Sequence, residues 1–295
     1  MTKTAFIAIV GRPNVGKSTL LNSILGEKIA IVSKKPQTTR NRITGIHTLG
    51  ENQYVFLDTP GMHKARTRLG DFMVKTAGET LGSSDAALLV VEPRGSVGDI
   101  EASIIKSLKA QKIPACLVIN KTDTVRAVDI AKTIEAYAAV FSFDAVIPVC
   151  AKLGKGIDTV IAECDRYLEE GVWFFPGDIL TDMPERHIAS EIIREKLLRV
   201  LDEEIPHGTA VSIEEFTESK QMVRIRAEIF CERQTHKGII IGKNGETLKK
   251  IGSYAREDLE AFLGTKVFLD LWVKVKENWR DSEVRLRDFG YREET

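Results

Sequence analysis

Short apolar runs alternate with amphipathic stretches through the first 170 residues of the chain. The apolar runs lie near residues 5–10, 44–49, 53–58, 85–91, 115–119 and 145–149. Between and after them, apolar positions recur with helical spacing near residues 17–25, 69–81, 98–110, 127–140 and 156–170. Strands that alternate with helices predict a doubly wound α/β sheet. Polar residues directly after the strands are candidates for a binding site, because ligands bind at the carboxyl edge of such sheets.

The alternation stops after Gly171. Residues 173–185 are first apolar and then rich in turn formers, which predicts a short linker packed on one domain. The chain would then consist of a first domain over residues 1–172, this linker, and a smaller α+β domain over residues 186–295. In the smaller domain we expect a helix over 186–204, strands over 209–217 and 221–232, a short helix, a longer helix over 245–263 and a strand over 266–275.

The last segment, residues 276–292, predicts a closing helix with one buried stripe. The stripe would contain Trp279, Val284, Leu286, Phe289 and Tyr291. Residues of this segment that contact a ligand remain an alternative.

The segment from Gly11 to Ser18, GRPNVGKS, lies between the first predicted strand and the first predicted helix. Its glycines let successive backbone N–H groups point at phosphates, Lys17 reaches the outer phosphates, and the Ser18 hydroxyl can bind Mg²⁺. The positive end of the following helix adds to this attraction. The segment therefore predicts a phosphate-binding loop. Its expected nucleotide contacts are Asn14, Val15, Gly16, Lys17, Ser18 and Thr19.

A second motif, Asn120-Lys121-Thr122-Asp123, follows the apolar run 115–119 and identifies the base. The Asp123 carboxylate only accepts hydrogen bonds, so it suits the adjacent N1–H and N2 amino donors of guanine. Adenine has no such pair of donors. Cys150-Ala151-Lys152, after the run 145–149, can place a backbone amide against guanine O6. The residues expected around the base are Asn120, Lys121, Asp123, Cys150, Ala151 and Lys152.

The tetrapeptide from Asp58 to Gly61, DTPG, ends the apolar run 53–58. Asp58 can hold Mg²⁺, directly or through water, and the Gly61 amide can bond the γ-phosphate. A plain turn is the structural alternative, and the neighbouring motifs favour the nucleotide. Upstream, the polar segment 37–40 can bring a threonine hydroxyl onto the metal, and we favour Thr39 over Thr38. The predicted Mg²⁺ ligands are Ser18, Thr39 and Asp58, and the predicted catalytic group is Lys17, Thr39, Asp58 and Gly61.

These motifs, in this order, resemble a translation-factor-related GTPase. The sequences QTTR at 37–40 and DTPG at 58–61 narrow the resemblance to the bacterial Era family. The resemblance to this family extends through residues 184–186, 192–201, 204–208 and 238–245. The resemblance implies a GTPase that binds the 3′ end of 16S rRNA and acts in maturation of the 30S ribosomal subunit. It also allows weak peripheral association with the inner face of the membrane. Related GTPases with an asparagine in the phosphate loop use a bound K⁺, which makes Asn14 a candidate K⁺ ligand.

The order of elements in the carboxyl half resembles a type II KH domain. There, the loop Gly242-Lys243-Asn244-Gly245 would join two helices and let an RNA backbone approach closely, with residues 239–241, Leu248 and Ile251 facing the core. From Lys220 to Arg256 nine residues are basic and three are acidic, so binding should weaken with salt, although a solvated basic face is the alternative. The expected RNA contacts are Lys237, Gly238, Gly242, Lys243, Asn244, Gly245 and Lys249.

Hydrolysis needs a group that orients the attacking water. Ras-like GTPases have a glutamine directly after the Asp-x-x-Gly element, whereas this chain has Met62, so we expect a slow intrinsic rate. His63 could act as a base, but a solvated loop histidine is the simpler interpretation. We expect the γ-phosphate to order residues 33–42 and 59–68 and thereby to change the affinity for RNA. Bound RNA should in turn change the affinity for the nucleotide, because coupling free energy is reciprocal.

Composition adds few constraints. Lys plus Arg and Asp plus Glu are 42 each, so the net charge does not indicate a nucleic-acid partner. No apolar run approaches the roughly 18 residues of a membrane span, the amino terminus is unlike a signal peptide, and the four cysteines form no Cys-x-x-Cys pair. We expect a cytoplasmic monomer with reduced thiols and no zinc site. Two alternatives stay open: a phosphate-loop metabolic kinase, and a membrane-surface GTPase whose basic segment binds anionic lipid.

Overall fold

The computed structural model describes residues 1–62 and 67–291, so His63 lies outside the described residues. The chain forms two compact units that divide between Asp182 and Met183, inside the predicted linker. The first unit contains most of the amino-terminal half. The second contains the chain from Met183 onward and also Ile31–Thr38 and the described residues 67–69, two segments that the sequence assigns to the first domain.

The first unit is built on an open sheet. Its strands are β1 (Lys3–Val10), β2 (Ile43–Leu49), β3 (Asn52–Asp58), β4 (Ala86–Val91), β5 (Ala115–Ile119) and β6 (Ala145–Pro148), with a short β7 (Glu169–Glu170). The order is β2-β3-β1-β4-β5-β6, and β7 pairs with the start of β1. All pairs from β3 to β6 are parallel, whereas β2 is antiparallel to β3. The predicted doubly wound sheet is confirmed, with β2 antiparallel at one edge and β7 antiparallel to the start of β1.

Five helices accompany this sheet in the described part of the chain up to Asp182. They are α1 (Lys17–Leu25), α2 (Arg68–Gly82), α3 (Asp99–Gln111), α4 (Ala127–Ala138) and α5 (Ile157–Cys164). The prediction of one helix over 156–170 was too long. The chain leaves α5 because the Tyr167 hydroxyl donates to Asp144 at 2.7 Å and the next residues pair with β1. Within residues 1–62 and 67–291, no helix is both long enough and apolar enough to cross a bilayer.

The predicted linker is attached to β3 by a buried glutamine. The side-chain oxygen of Gln53, Oε1, accepts the backbone N–H groups of Phe174 and Phe175 at 3.0 and 3.1 Å. Its side-chain nitrogen, Nε2, donates to the Phe175 carbonyl at 2.8 Å. A buried amide with all these partners fixes the backbone that it contacts. This part of the linker is therefore packed on the first unit and is not a loose tether.

The second unit has helices on one face of a three-stranded sheet in its described residues. The elements are α6 (Glu185–Val200), β8 (Ala210–Glu218), β9 (Met222–Cys231), α7 (Gln234–Ile241), α8 (Glu246–Leu263) and β10 (Lys266–Val275). The sheet order is β10-β9-β8, with β9 parallel to β10 and antiparallel to β8. Alternate residues of β9, among them Ile225 and Ile229, pack against Ile251 and Leu259 of α8. The predicted KH arrangement is confirmed.

The expectation of one helix over 276–292 was wrong. The chain forms a single 3₁₀ turn at Trp279–Asp281 and a short α9 (Glu283–Asp288). Trp279 is fully buried, its indole N–H donates to the Gly208 carbonyl at 2.9 Å, and its ring stacks on Tyr291. A continuous helix is replaced by the turn that satisfies this indole. Val284, expected in the buried stripe, is 69% exposed.

Within the second unit, helix α6 holds the segment Ile31–Thr38. Arg194 is buried, and its guanidinium donates to the carbonyls of Gln37 and Thr38. The Val32 N–H donates to the Glu195 carboxylate at 2.9 Å, and Glu195 also pairs with Lys196. Lys196 bonds in turn to Asp258 of α8, the helix that follows the Gly242–Gly245 loop.

Candidate nucleotide and RNA sites

The phosphate-binding loop lies between β1 and α1, at the carboxyl edge of the sheet. Gly16 has a φ of +100°, and a Cβ on it would lie 2.3 Å from the side-chain nitrogen of Asn120. Only glycine fits this position without a shift of Asn120. The close approach lets the Asn120 amide donate to the Val15 carbonyl at 2.8 Å, which attaches the loop to the end of β5.

Lys17 is buried inside the turn of the loop. Its ammonium donates to the carbonyls of Gly11 and Arg12 at 3.1 and 3.2 Å. Burial lowers the pKa of Lys17 to about 8, and the nearby Asp58 carboxylate opposes the change. The loop thus holds the positively charged Lys17 ammonium where the outer phosphates of a nucleotide are expected.

Three oxygen-bearing side chains meet beside this cation. The Ser18 hydroxyl donates to Asp58 Oδ2 at 2.5 Å, and the hydroxyls of Ser18 and Thr39 are 2.9 Å apart. Burial raises the pKa of Asp58 to about 6, against the lowering effects of Lys17, Ser18 and Thr39. Thr38 is turned differently, since its hydroxyl donates to the Lys35 carbonyl at 2.7 Å.

The oxygens of Ser18, Thr39 and Asp58 fit a magnesium ion. Asp58 Oδ1 is buried, and within the described residues it has no hydrogen-bond partner. A buried carboxylate oxygen without a partner is costly, and a hard cation or its water would satisfy it. Hydroxyl and carboxylate oxygens are the ligands that Mg²⁺ prefers.

Gly61 follows β3 and approaches the phosphate-binding loop closely. A Cβ on Gly61 would lie 2.8 Å from the backbone nitrogen of Pro13, so a side chain there would displace the loop. The next residue, Met62, donates its backbone N–H to the Gly11 carbonyl at 3.4 Å. The Gly61 amide is therefore kept beside the loop, as a γ-phosphate contact requires.

The residues of the base motif lie at the ends of β5 and β6. Asn120 accepts the Ala151 N–H at 3.0 Å, and the Lys121 ammonium donates to the Asn14 carbonyl at 2.6 Å. Asp123 lies on an exposed 3₁₀ turn, open to a base. The backbone N–H of Ala151 thus donates to the Asn120 side chain, and the backbone N–H of Cys150 donates to the Lys155 carbonyl at 3.0 Å. The third residue of that group, Lys152, lies in the 3₁₀ turn that follows.

Sequence reasoning missed one charged cluster at the same edge. Glu92, the residue after β4, accepts hydrogen bonds from Arg12 and Lys121, both at 2.6 Å. Arg12 also pairs with the buried Glu101 at 3.5 Å. The rule that ligand-binding residues follow parallel strands could have identified Glu92 as a candidate.

The predicted RNA loop joins α7 to α8. Gly242 has φ +75° and ψ 176°, and Gly245 has φ +79°. Lys243 and Asn244 at the tip are exposed, as are Gly238 of α7 and Lys249 of α8, whereas Lys237 is half-buried. Behind the loop Ile240 and Ile251 are fully buried. Ile239 is 50% exposed, so the prediction that it faces the core was wrong.

The basic segment from Lys220 to Arg256 does not form one surface. Arg224 and Arg226 are exposed positions of β9, which alternate with its buried ones. Arg224 lies over the Phe268 ring, and Arg226 pairs with Glu215 and Asp270. The basic residues near the Gly242–Gly245 loop are thus separate from those on the sheet.

The fold and the two sites define a class of protein: a P-loop GTPase domain followed by a KH domain. Comparison with protein families agrees. Residues 6–121 match the family described as 50S ribosome-binding GTPase, and residues 204–280 match the KH domain family.

Whole-chain relatives give the family. The chain is 50% identical over 294 residues to GTPase Era of Clostridioides difficile, covering 99% of each chain. It is 48% identical over 291 residues to GTPase Era of Ruminiclostridium cellulolyticum, covering 98% of each. The chain belongs to the Era GTPase family.

Solved structures agree over the whole length. A crystal structure of Era in complex with MgGDPNP and nucleotides 1506–1542 of 16S ribosomal RNA has a TM-score of 0.94 and 38% identity, covering 99% of each chain. An Aquifex aeolicus Era variant bound to GDP and AlF₄⁻ also has a TM-score of 0.94 at 38% identity, covering 98% of this chain and 99% of that chain.

Proposed function

We propose that the protein is a GTP-hydrolysing switch that binds the single-stranded 3′ end of 16S rRNA and acts in assembly of the 30S ribosomal subunit. The observation that carries this proposal is the meeting of Ser18, Thr39 and Asp58 beside Lys17. Thr39 comes from a separate loop, 21 positions after Ser18, and it reaches the metal site only when that loop is ordered, which is the property of a nucleotide switch. The relative solved with MgGDPNP and 16S rRNA supports the same combination of ligands.

The residues of the site have separate tasks in hydrolysis. Lys17 and the loop amides bind the phosphates and neutralise the charge that spreads over the γ-phosphoryl group. Mg²⁺, held by Ser18, Thr39 and Asp58, would supply further positive charge there. The Gly61 amide holds a γ-phosphate oxygen. Met62 follows Gly61, and its thioether is a poor group for orienting water, which predicts a slow intrinsic rate.

A bound K⁺ would add charge where no arginine is supplied, and Asn14 is its proposed ligand. Asn14 has φ +66° in the phosphate-binding loop. Asn14→Gly therefore removes the carboxamide without straining the backbone. We expect faster turnover in K⁺ than in Na⁺ buffer for the natural chain, and equal rates in the two buffers for the variant. Equal rates in the natural chain would remove K⁺ from the account.

Coupling between nucleotide and RNA follows from chain connectivity. Thr38 belongs to the second unit, where its carbonyl accepts from Arg194, and the next residue, Thr39, approaches Ser18 in the first unit. Ordering Thr39 on a metal and γ-phosphate therefore restrains a segment that packs on α6. By linkage, the factor by which bound GTP changes the affinity for RNA should equal the factor by which bound RNA changes the affinity for GTP.

The test is a filter-binding titration of an RNA oligonucleotide with the 16S 3′-end sequence. Affinity is measured with a non-hydrolysable GTP analogue, with GDP and without nucleotide, and a scrambled RNA of equal length is the control. We expect the analogue state to bind more tightly than the GDP state. Equal affinities would contradict the switch, and equal binding of scrambled RNA would contradict the sequence preference.

We further propose a cytoplasmic monomer that associates weakly with the membrane surface. Anionic lipid and RNA would compete for basic residues of the second unit, because both present phosphates. Flotation with anionic liposomes should show weak binding that 16S 3′-end RNA removes. Tight flotation that RNA does not affect would favour the membrane-surface alternative.

A further inference from the structure

Glu92 bonds to three cations, two of which, Arg12 and Lys121, belong to the nucleotide site. Its Oε1 accepts from Lys121 at 2.6 Å. Its Oε2 accepts from Arg12 of the phosphate-binding loop at 2.6 Å and from Arg94 at 2.7 Å. The carboxylate therefore connects the phosphate-binding loop, the end of β4 and the base motif.

Lys121 continues this connection into the phosphate-binding loop. Its ammonium bonds to Glu92 and also to the Asn14 carbonyl, both at 2.6 Å. Asn14 and Lys121 are both non-glycine residues with left-handed backbone, at φ +66° and +64°. Such conformations cost free energy and persist only where surrounding contacts hold them. The bond between the two residues links one strained position to the other, and Glu92 holds the ammonium that makes this bond.

The cluster differs from an ordinary surface ion pair. The side chains of Glu92 and Arg12 are 19% and 18% exposed, so solvent screens them only in part. Burial alone would raise the pKa of Glu92, yet hydrogen bonds from Lys121 and Arg94 and the charges of Lys121 and Arg12 lower it. Networks of charged hydrogen bonds are stronger than isolated exposed pairs.

We propose that Glu92 is a positioning residue for guanine-nucleotide binding. It fixes Lys121 and Arg12, and through Lys121 it sets the left-handed turn at Asn14 that shapes the phosphate-binding loop. It touches neither base nor phosphate in this role. Its bonded partners are Arg12, Arg94 and Lys121, which are distinct from the residues assigned to hydrolysis, Lys17, Ser18, Thr39 and Asp58. In Na⁺ buffer, where the proposed K⁺ at Asn14 does not contribute, Glu92 therefore acts on nucleotide affinity and not on the rate at saturation.

The experiment compares Glu92→Gln with Glu92→Asp and Arg94→Gln in the full chain. A glutamine keeps the shape but replaces one acceptor oxygen with an amide donor, so it cannot accept from both Arg12 and Lys121. Aspartate keeps the charge but is shorter by one methylene. Arg94 is the matched control, because it bonds to the same carboxylate but is 60% exposed and lies outside the phosphate-binding loop.

Calorimetry measures the affinities for GDP and for IDP. IDP lacks the N2 amino group from which Asp123 is expected to accept a hydrogen bond. The ratio of the GDP affinity to the IDP affinity therefore reports recognition of the base alone. In Glu92→Gln one of the two charge-assisted hydrogen bonds is lost and the other loses the charge of its acceptor, so we expect both affinities to fall by about 10- to 100-fold. The GDP to IDP ratio, and kcat at saturating GTP in Na⁺ buffer, should stay within about 2-fold, because the bonds of Asp123 and of the hydrolytic residues remain. Glu92→Asp should be intermediate, and Arg94→Gln should bind within about 2-fold of the natural chain.

Each possible result either supports or contradicts the proposal. Glu92→Gln affinities equal to those of Arg94→Gln would overturn the proposal. A reduced GDP to IDP ratio would also overturn it, because Glu92 would then act on base reading. The nucleotide-free melting temperature separates loss of binding from loss of folding. If Glu92→Gln does not fold, Glu92→Asp with an unchanged ratio and weaker GDP binding supports the proposal, and natural affinity in that variant contradicts it.

Discussion

The two glycines of the Gly242–Gly245 loop make a matched pair of substitutions with different expected costs. Gly242 has φ +75° and ψ 176°, a region that only glycine occupies readily, and a Cβ there would lie 2.2 Å from Thr247 Oγ1 and 2.9 Å from its backbone nitrogen. Gly245 has φ +79° and ψ 9°, and a Cβ there would meet open space. Gly242→Ala therefore adds a steric collision to the backbone cost, whereas Gly245→Ala adds only the cost of a left-handed alanine.

The magnitudes follow from these two conformations. A non-glycine residue in the Gly242 region costs about 1–3 kcal/mol, and the contact with the Thr247 backbone brings the loss of unfolding free energy to about 2–4 kcal/mol. A left-handed alanine at Gly245 costs about 1–2 kcal/mol. The two substitutions add the same single methyl group, so the difference between them measures the local geometry.

The assay is urea unfolding followed by tryptophan fluorescence in a Trp173→Phe background. The remaining indoles, Trp272 and Trp279, lie in the second unit and report its unfolding. RNA affinity is measured in parallel. We expect Gly242→Ala to lower both stability and RNA affinity, and Gly245→Ala to lower RNA affinity with a smaller loss of stability, because its methyl group faces the space that an RNA backbone would occupy. Equal stability losses, or a larger loss for Gly245→Ala, would refute the reasoning.

Three further predictions concern the ligands. Thr39→Ala should weaken Mg²⁺-dependent binding of a GTP analogue by about 10- to 100-fold and leave GDP binding intact, whereas Thr38→Ala should bind normally; a Mg²⁺ titration decides, and equal effects would contradict the assignment of Thr39. Asp123→Asn should favour XDP over GDP, because the new amide donates to the carbonyl that xanthine has at C2; competition binding with both nucleotides checks this, and unchanged guanine preference would remove Asp123 from base reading. Lys243→Gln with Lys249→Gln should reduce the slope of log affinity against log salt by about 1.4, at 0.7 per phosphate contact on a single strand; Arg226→Gln on the sheet is the control, and an unchanged slope in the double variant would place the RNA elsewhere.

The elements of the first unit could be predicted because their signals are local. The strand from Ala86 to Val91 is buried at every position, as an apolar run between turns indicates. The motifs after β1, β3, β5 and β6 then lie at one edge of the sheet, because parallel strands end on the same side. The common location of Ser18, Asp58 and Asn120 could therefore be predicted from their positions after the predicted strands.

The residues that were missed depend on contacts between distant parts of the chain. Nothing near Glu92 in the sequence indicates that it accepts from Arg12 and Lys121, which are 80 and 29 positions away. The carboxyl-terminal segment failed as a helix for a similar reason, since Trp279 donates to a carbonyl 71 positions earlier. Periodicity describes one element at a time, whereas these side chains are placed by partners that the fold supplies.

The two candidate sites use the same physical device on different phosphates. In the phosphate-binding loop the space beside Gly16 is filled by Asn120, and in the Gly242–Gly245 loop the space beside Gly242 is filled by Thr247. Gly16 is left-handed and directly precedes α1, whereas Gly242, with φ +75° and ψ 176°, lies four residues before α8, which the left-handed Gly245 directly precedes. The first N–H groups of both helices are unpaired within the helix and attract anions. A neighbouring side chain thus excludes any Cβ at the turn and fixes a backbone surface that phosphates can approach. Because this surface consists of backbone, it reads charge and shape, and the selection of a particular base must come from side chains outside the loops, such as Asp123 in the nucleotide site.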